Sequence, residues 1–422
     1  MARKMKDSGI EWIGEIPEGW EVAPLKRFAS IQTGNTPSKT SDANYYAANG
    51  IPWIKPDNLG YSHSILTTSE YLTSEGALCA RIMPPNTVYV CCIGSLGKVG
   101  YSSISCACNQ QINALIFNDL MFWRYGYYLT IAQESQYLLF GNGNVLQIIN
   151  STSQGNIACV LPPLENQHLI ACYLDSICSD IEVLISKARS SIEEYKKLKQ
   201  SVITQAVTKT IYDDFGNPSK FRKLRSLCDV LSKGTTPKDI ETQNDEFYCI
   251  RYLKSENIVS NQLNLNPTFF ITADTNNSLE RSKLNSGDIL FVIAGASIGK
   301  VAITTADFLP ANTNQAVAFI RLSSSYQYAT KYIWYFLQSD VVKQLIALSA
   351  VQSAQPNLSL EDLGAMRLPL PDQIGCLKIT DYLDAKYAEI DKLIAKKEQL
   401  VKELESYKKS LIYEVVTGKR EV

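Results

Sequence analysis

Two long stretches of the chain place an apolar residue at every third or fourth position. They run from Leu164 to Thr208 and from Asp372 to Thr417, and glycine is found only at their margins, as Gly375 and Gly418. This period is typical of coiled-coil helices. We therefore predict helices over residues 161–210 and 368–418, each roughly 65–70 Å long at about 1.5 Å per residue.

A helix of that length carries a continuous apolar stripe that must be covered in water. The partner we predict is the other long helix of the same chain, running antiparallel about a pseudo-twofold axis. The predicted seam of this intramolecular coiled coil consists of Leu174, Ile181, Leu184, Tyr195, Leu198 and Val202 in the first helix and Leu383, Ile390, Leu393, Leu400, Leu404 and Leu411 in the second.

The stretches in front of the two helices have a different pattern. Short apolar, β-branched or aromatic runs such as Thr87–Ile93 and Asp288–Ala294 alternate with glycine, proline and asparagine, with a helical patch at Ala329–Gln338. These runs are typical of strands, so we predict two α+β domains built on sheets. The predicted organisation is an N-terminal segment over 1–20, a first domain over 21–160, the central helix over 161–210, a linker over 211–220, a second domain over 221–367 and the C-terminal helix over 368–418.

The chain repeats itself at an offset of about 200 residues, which exceeds the roughly 20 to 50 residues of a solenoid repeat and predicts a tandem pair of domains. Thr33-Gly34-Asn35-Thr36-Pro37 resembles Lys233-Gly234-Thr235-Thr236-Pro237. Further matched landmarks are Lys98 with Lys300, Asn109-Gln110 with Asn314-Gln315, Leu161-Pro162 with Leu368-Pro369, and Tyr173-Leu174-Asp175 with Tyr382-Leu383-Asp384.

Composition narrows the class of protein. The 422 residues are 45% hydrophobic and 20% charged, as in a folded protein of several domains. Eleven cysteines and two histidines, without a C-x-x-C pair, favour reduced, mostly buried thiols over a metal site.

No apolar run approaches a membrane span and the N-terminus lacks the apolar core of a secretion signal, so we expect a cytoplasmic protein. The net charge of −1 argues against a protein that grips DNA unaided, but it allows local basic surfaces and a partner that supplies phosphate contacts.

Two glycine-flanked lysines raise the question of nucleotide binding. The stretches Cys92–Val99 and Ala294–Val301 read CIGSLGKV and AGASIGKV. A phosphate-binding loop needs G-x-x-x-x-G-K-[ST], whereas here the glycines are closer together and valine follows each lysine. We predict glycine-rich turns between two sheet strands, whose lysines are either solvated or in contact with a DNA backbone.

One nuclease pattern is present. Pro371-Asp372 followed by Asp384-Ala-Lys386 fits PD…[DE]-x-K, whose carboxylates and lysine would surround a divalent metal. That chemistry needs the acid and the lysine on adjoining strands, whereas Asp384 and Lys386 lie in a predicted helix. We interpret the pattern as chance and predict no catalytic and no metal-binding residue in this chain.

Several of these features resemble a known family. The segment Asp7–Glu21 (DSGIEWIGEIPEGWE), the G-x-T-P loops at Gly34 and Gly234, the glycine-lysine turns, the leucine-proline pairs at 161 and 368 and the two long helices are similar to the specificity subunit of type I restriction-modification systems. The resemblance covers nearly the whole chain, although the second copy has no counterpart of Asp7–Glu21.

The resemblance implies a non-catalytic subunit with two target-recognition domains joined by an antiparallel helical spacer. Each domain would read one half of an asymmetric bipartite site in double-stranded DNA, and the helices would set the spacing. The implied protein partners are two copies of a DNA methyltransferase subunit and the restriction (helicase-nuclease) subunits. S-adenosylmethionine, ATP and Mg would belong to those partners, with no cofactor in this chain.

The expected DNA-facing residues are polar loop positions, because bases and phosphates are contacted through hydrogen bonds and charges. They are Asn35, Thr36, Lys39, Lys55 and Lys98 in the first domain and Thr235, Thr236, Lys238, Lys254 and Lys300 in the second. Two alternatives stay open. A coiled-coil protein-interaction scaffold without DNA specificity explains the helices but not the duplicated domains, and a metal nuclease would depend on Asp372, Asp384 and Lys386.

Overall fold

The computed structural model describes residues 3–37, 44–60, 64–142, 147–208, 220–244, 248–350 and 357–422. Residues 211–219 of the predicted linker and the candidate Lys39 lie outside the described residues. The chain forms two compact units, Met1–Ser190 with Glu398–Val422 and Ser191–Lys397.

Short strands and helices in the first unit lead into a long helix. The strands are β1 (Met5–Asp7), β2 (Glu15–Pro17), β3 (Glu21–Pro24), β4 (Ala29–Thr33), β5 (Tyr46–Ala47), β6 (Ile51–Ile54), β7 (Tyr71–Leu72), β8 (Ile82–Met83), β9 (Thr87–Cys91), β10 (Val99–Ser102), β11 (Cys106–Cys108), β12 (Ile112–Phe117) and β13 (Ala158–Leu161). The helices are α1 (Ser74–Leu78), α2 (Trp123–Ala132), α3 (Glu134–Leu139), α4 (Ser151–Gly155) and α5 (Leu164–Thr208), whose last residues belong to the second unit.

Two sheets form the body of the first unit. A four-stranded antiparallel sheet has the order β10-β9-β12-β4, and a five-stranded sheet has the order β5-β7-β6-β11-β8 with β6 and β11 parallel. Strand β9 is buried on both faces because side chains alternate between them. Val88 and Val90 lie in the hydrophobic cluster that includes the long helices, whereas Tyr89 and Cys91 lie in the cluster shared with the five-stranded sheet.

The second unit contains a similar series of elements. The strands are β14 (Lys220–Lys223), β15 (Cys228–Lys233), β16 (Tyr248–Leu253), β17 (Ile258–Val259), β18 (Gln262–Leu263), β19 (Phe270–Thr272), β20 (Ile289–Val292), β21 (Val301–Ile303), β22 (Ala311–Thr313), β23 (Val317–Leu322) and β24 (Arg367–Leu370). The helices are α6 (Ala273–Ser278), α7 (Thr330–Leu337), α8 (Asp340–Ala350), α9 (Leu360–Ala365) and α10 (Gln373–Val416), whose last residues belong to the first unit.

The two units share one topology. The four-stranded sheet of the second unit has the order β15-β23-β20-β21, which matches β4-β12-β9-β10, and the parallel pair β16 and β22 matches β6 and β11. Strand β20 is again buried on both faces, with Ile289 and Phe291 in one cluster and Leu290 and Val292 in another. The sequence repeat is therefore a repeat of structure, and the prediction of two α+β domains is confirmed.

The long helices pack against each other inside each unit. In the first unit Glu182 of α5 pairs with Lys408 of α10, and Arg189 Nη2 lies 2.7 Å from Glu405 Oε1. Residue numbers rise along one helix as they fall along the other, so the helices are antiparallel there. In the second unit Lys199 Nζ lies 2.7 Å from Asp391 Oδ1.

One row of the buried stripe of α5 matches the prediction, and the other row does not. Of the predicted positions, the buried ones are Leu174 and Ile181, the partly buried ones are Tyr195 and Val202, and the exposed ones are Leu184 and Leu198, at 52% and 48%. The second row of buried residues is Cys178, Ile185 and Ile192. The prediction was wrong for Leu184 and Leu198. Residues three and four positions further along a helix both lie on the same side as the first. After Ile181, the buried residue is Ile185, four positions on, and not Leu184, three positions on.

The seam of α10 contains a charged residue. The predicted Leu383, Ile390 and Leu411 are buried, Leu393 and Leu404 are partly buried, and Leu400 is 39% exposed. Four residues after Leu404 stands Lys408, which is 7% exposed and whose ammonium group pairs with Glu182. Lys408 therefore occupies a buried seam position that the apolar pattern did not predict.

A buried tyrosine bonds each α+β domain to the end of a long helix. Tyr125 OH lies 3.0 Å from Val160 O of β13 and 3.1 Å from Val416 O of α10. In the second unit Tyr332 OH lies 2.5 Å from Pro369 O of β24 and 3.4 Å from Val207 O of α5. The same contact therefore recurs at equivalent places.

Replacing Tyr125 with phenylalanine is expected to lower the free energy of unfolding by about 1–3 kcal/mol, because buried carbonyl groups lose their donor. Tyr101→Phe is the control, since the Tyr101 hydroxyl has no hydrogen-bond partner in the described part of the chain; its effect should stay within about 0.5 kcal/mol. Urea unfolding measures both, and equal midpoint shifts would contradict the assigned role of the Tyr125 hydroxyl.

Candidate nucleic-acid interface

Four loops of the first unit meet at one edge of its four-stranded sheet. Strand β4 ends where β12 begins, since Thr33 pairs with Asn113, and β9 ends at the same level of β12. The N–H of Asn109 donates to Ile54 O at 3.0 Å, which brings the end of β6 to this place. The loops that follow β4, β6, β9 and β11 therefore share one surface, which we call the loop edge.

The G-x-T-P loop packs closely against the end of β11 at Gly34. The N–H of Gly34 donates to Ile112 O, and that of Asn35 donates to Cys108 O, both at 3.0 Å. A Cβ atom on Gly34 would lie 2.2 Å from Cys108 O. Glycine is required here because of this close backbone approach.

Thr36 and Asn35 differ in their hydrogen-bond partners at the loop edge. The exposed Thr36 hydroxyl donates to Oε1 of the exposed Gln110, which lies in the turn between β11 and β12. Both ends of the Asn35 amide are bonded to the backbone of the segment between α1 and β8, since Nδ2 donates to Cys79 O at 2.7 Å and Oδ1 accepts from the N–H of Arg81 at 2.8 Å. Asn35 therefore supports the loop, and Thr36 and Gln110 face outward.

The two lysine candidates of the first unit also reach the loop edge. Lys55 follows β6, and its Nζ lies 2.8 Å from Glu70 Oε1 and 5.0 Å from the centre of the Trp53 ring. Lys98 is exposed and precedes β10 in the turn after β9. The predicted turn between two sheet strands is confirmed, with positive φ at Gly94 and Gly97.

The loop edge of the second unit repeats this construction. Thr235 N–H donates to Thr313 O at 3.1 Å, and a Cβ on Gly234 would lie 1.9 Å from the same oxygen. The exposed Thr236 hydroxyl donates to Oε1 of the exposed Gln315, in the turn between β22 and β23. This hydrogen bond between threonine and glutamine, which we call the clasp, is therefore present in both units.

The lysines of the second unit occupy matching positions. Lys254 follows β16, and its Nζ lies 3.6 Å from the centre of the Phe269 ring. In the described residues Lys254 has no carboxylate partner, unlike Lys55. Lys300 is partly buried in the turn between β20 and β21, and Lys238 is exposed a few residues after the G-x-T-P loop.

Sequence reasoning missed three polar residues of the loop edges. Gln110 and Gln315 were visible as the repeated Asn-Gln pair, but only as landmarks of the repeat. Arg81 Nη1 donates to Thr33 O at 2.7 Å, and no pattern in the sequence pointed to it. The repeat could have identified the glutamines, because residues that recur at matched places in both copies serve the same purpose in both.

The residues of the nuclease pattern are engaged elsewhere. Asp384 pairs with Lys331 and accepts a hydrogen bond from Tyr335 OH at 2.7 Å, while Lys386 pairs with a glutamate one turn along its own helix. Asp372 accepts from a backbone N–H at the start of α10, and the helical rise separates it from Asp384 by roughly 18 Å. These residues do not surround a metal.

Asp384 has a counterpart in the first unit, which gives the repeated Tyr-Leu-Asp triplet a structural role. Arg124 Nε lies 2.7 Å and Tyr128 OH 2.6 Å from Asp175 Oδ1. Burial, and then the Asp175 carboxylate, raise the pKa of Tyr128. Each carboxylate therefore fixes the helix that follows a sheet to a long helix.

The cysteines match the prediction of buried, reduced thiols. All eleven are free, and seven of them are buried. Burial raises the pKa of Cys108 to about 12 and that of Cys178 to about 11, so these thiols are protonated at neutral pH. In the described residues no group of three or more His, Cys, Asp or Glu side chains could hold a metal ion, and no helix has the length and apolar character of a membrane span.

A tandem α+β protein with two equivalent polar loop edges is the class that the fold defines. The family model of the type I restriction modification DNA specificity domain matches residues 17–194 and again 217–403. The chain belongs to this family, which confirms the resemblance seen in the sequence.

Curated relatives agree with the family model. The chain is 23% identical over 312 residues to the EcoKI specificity subunit of Escherichia coli, covering 69% of this chain and 64% of that protein. It is 29% identical over 179 residues to the HindI specificity subunit of Haemophilus influenzae, covering 41% of this chain and 38% of that protein. The matched region thus spans less than two thirds of the length of either relative.

Solved structures share the fold over nearly the whole chain. A chain from work on complex assembly and conformational transition of the type I R-M system has a TM-score of 0.72 at 14% identity, covering 96% of this chain and 99% of that one. The HsdS subunit from Thermoanaerobacter tengcongensis has a TM-score of 0.52 at 14% identity, covering 96% and 98%.

Proposed function

We propose that this chain is the sequence-specific DNA-recognition subunit of a type I restriction-modification complex, and that each of its two domains reads one half of an asymmetric bipartite site. The observation that supports this most directly is the duplicated loop edge, with a threonine-glutamine clasp and two lysines at matching places in each unit. The clasps are alike, but the surrounding loops differ in sequence, so two unlike half-sites are expected.

The charge of the chain supports a model in which partner subunits make part of the contacts to DNA phosphates. Lys98 and Lys254 are placed to contact phosphates, which fix position without reading sequence. The net charge of −1 supplies little of the nonspecific attraction that DNA-binding proteins normally use. We propose that two methyltransferase subunits close around the DNA and share the phosphate contacts.

The long helices are proposed to set the distance between half-sites and to dock the methyltransferase and restriction subunits. S-adenosylmethionine, ATP and Mg would be bound by those partners, which would carry out methylation and cleavage. Val183 and Leu184 are adjacent, apolar and exposed on α5, and they are proposed to belong to this docking surface.

Selection from a random double-stranded oligonucleotide pool tests the proposal, using the full chain with and without its proposed methyltransferase partner. Enrichment of two short sequences separated by unselected bases is the expected result. A stable complex with the methyltransferase that enriches no sequence would instead favour a protein-interaction scaffold without DNA specificity.

Adding one heptad to both long helices is expected to lengthen the accepted gap between half-sites. Seven residues add about 10.5 Å of helix, which corresponds to about three base pairs at roughly 3.4 Å each. The same pool selection measures the gap, and a heptad added to α5 alone serves as the control because it shifts the seam out of register. An unchanged gap in the double insertion would argue against helices that set the spacing.

A further inference from the structure

We propose that Gln110 and Gln315 each read a base edge in their half of the target, and that Thr36 and Thr236 position them. This inference deepens the proposed function and rests on it. It assigns sequence reading to two residues that lie outside the G-x-T-P loops and the lysine turns.

Several backbone hydrogen bonds hold the turn that carries Gln110. The N–H of Cys92 donates to Gln111 O at 2.8 Å, and the N–H of Ile112 donates to Asn109 O at 3.2 Å. Asn109 in turn donates to Ile54 O of the other sheet. Both sheets of the unit therefore fix this backbone, which suits a binding residue that must be held in place.

The turn that carries Gln315 is held in the same way. The N–H of Ile293 donates to Ala316 O at 2.9 Å, and the N–H of Val317 donates to Asn314 O at 3.2 Å. Gly234 N–H donates to Val317 O at 3.2 Å, as Gly34 does to the first residue of β12. The two copies of the repeat thus build one arrangement.

The clasp leaves each glutamine ready for a second partner. Gln110 Oε1 accepts from Thr36 and keeps one lone pair, and its Nε2 has no hydrogen-bond partner among the described residues. The same holds for Gln315 with Thr236. An amide in this state offers an acceptor beside a donor, which is the complement of the N6 and N7 edge of adenine in the major groove.

Other polar groups of the loop edge are less suited to reading bases. Both ends of the Asn35 amide are bonded to the backbone of Cys79 and Arg81, and Lys55 is paired with Glu70. Lys98 and Lys300 carry charges without a directional pair of groups, so they suit phosphates. The identical glutamines predict that the two unlike half-sites have an adenine edge in common.

The test uses the full chain assembled with its methyltransferase subunit, pool selection to find the site, and binding of that site and its single-base variants. Gln110→Leu keeps the approximate size and removes the amide, and Gln110→Glu replaces the donor with an acceptor. Gln315→Leu is the matched variant in the other domain. Thr36→Val removes the positioning hydroxyl, and Thr36→Ser should restore it.

The expected result is a loss of discrimination at one base pair of one half-site, by roughly 5- to 150-fold. Gln315→Leu should act only on the other half-site, and Thr36→Val should reproduce the Gln110 effect while Thr36→Ser behaves as the wild type. Affinity that falls equally for all sequences with a smaller salt dependence would identify a phosphate contact and overturn the inference, as would unchanged base preferences. If the wild-type complex selects no bipartite site, the proposed function fails first, before any variant is compared.

Discussion

Truncating Leu174 to alanine is expected to destabilise the first unit by about 2–5 kcal/mol, whereas Leu184→Ala in the same helix should cost no more than about 0.5 kcal/mol. Leu174 is fully buried in the cluster that joins the domain to both long helices, and Leu184 is 52% exposed. The substitution is the same in both variants, so the difference reports burial alone.

Urea unfolding of the two variants measures this difference, with circular dichroism to show that the long helices persist. Because the chain has two units, the unfolding transitions of the two units should be fitted individually wherever they are resolved from each other. Similar losses at both positions would mean that Leu184 also lies in the seam and that the phase seen for α5 is wrong.

Replacing Gly34 with alanine is expected to weaken DNA binding by the first domain about 10-fold or more. The new Cβ would lie 2.2 Å from the carbonyl oxygen of Cys108, so the loop must move away from β11 and Thr36 can no longer hold Gln110. The measurement is fluorescence anisotropy of the assembled complex on its selected site, compared with sites altered in one half.

Gly60→Ala is the matched control for Gly34→Ala. Gly60 lies in the same unit, and no atom of the described residues stands within 4 Å of where its Cβ would be. Its affinity for DNA should equal that of the wild type. An unaffected Gly34→Ala protein would show that the close approach is not needed for the loop edge to function.

The candidate residues were recoverable from the sequence to different degrees. Thr36 and Thr236 could be proposed because the G-x-T-P motif occurs twice, and the structure places both at an exposed loop edge. Asn35 also lies there, but its amide is used by backbone groups of residues more than forty positions away. No local pattern contains such a contact, because the partners become neighbours only through folding.

The buried face of α5 also could not be predicted from the local sequence pattern. Val183, Leu184 and Ile185 are consecutive and apolar, so the periodicity of α5 is compatible with two faces. Packing selects the face with Ile185, which is 8% exposed. Lys408 belongs to the seam only because Glu182 of the other helix meets it there.

The sequence by itself determined the tandem repeat, the strand-rich domains and the two long helices, because each is written as a local period or as a recurrence at a fixed offset. Only the tertiary structure decided which helix face is buried, which amides are bonded to distant backbone groups, and that Gln110 and Gln315 lie beside Thr36 and Thr236 at the loop edges. These outcomes depend on contacts between distant segments, whose energies are set by three-dimensional packing and are absent from the pattern along the chain.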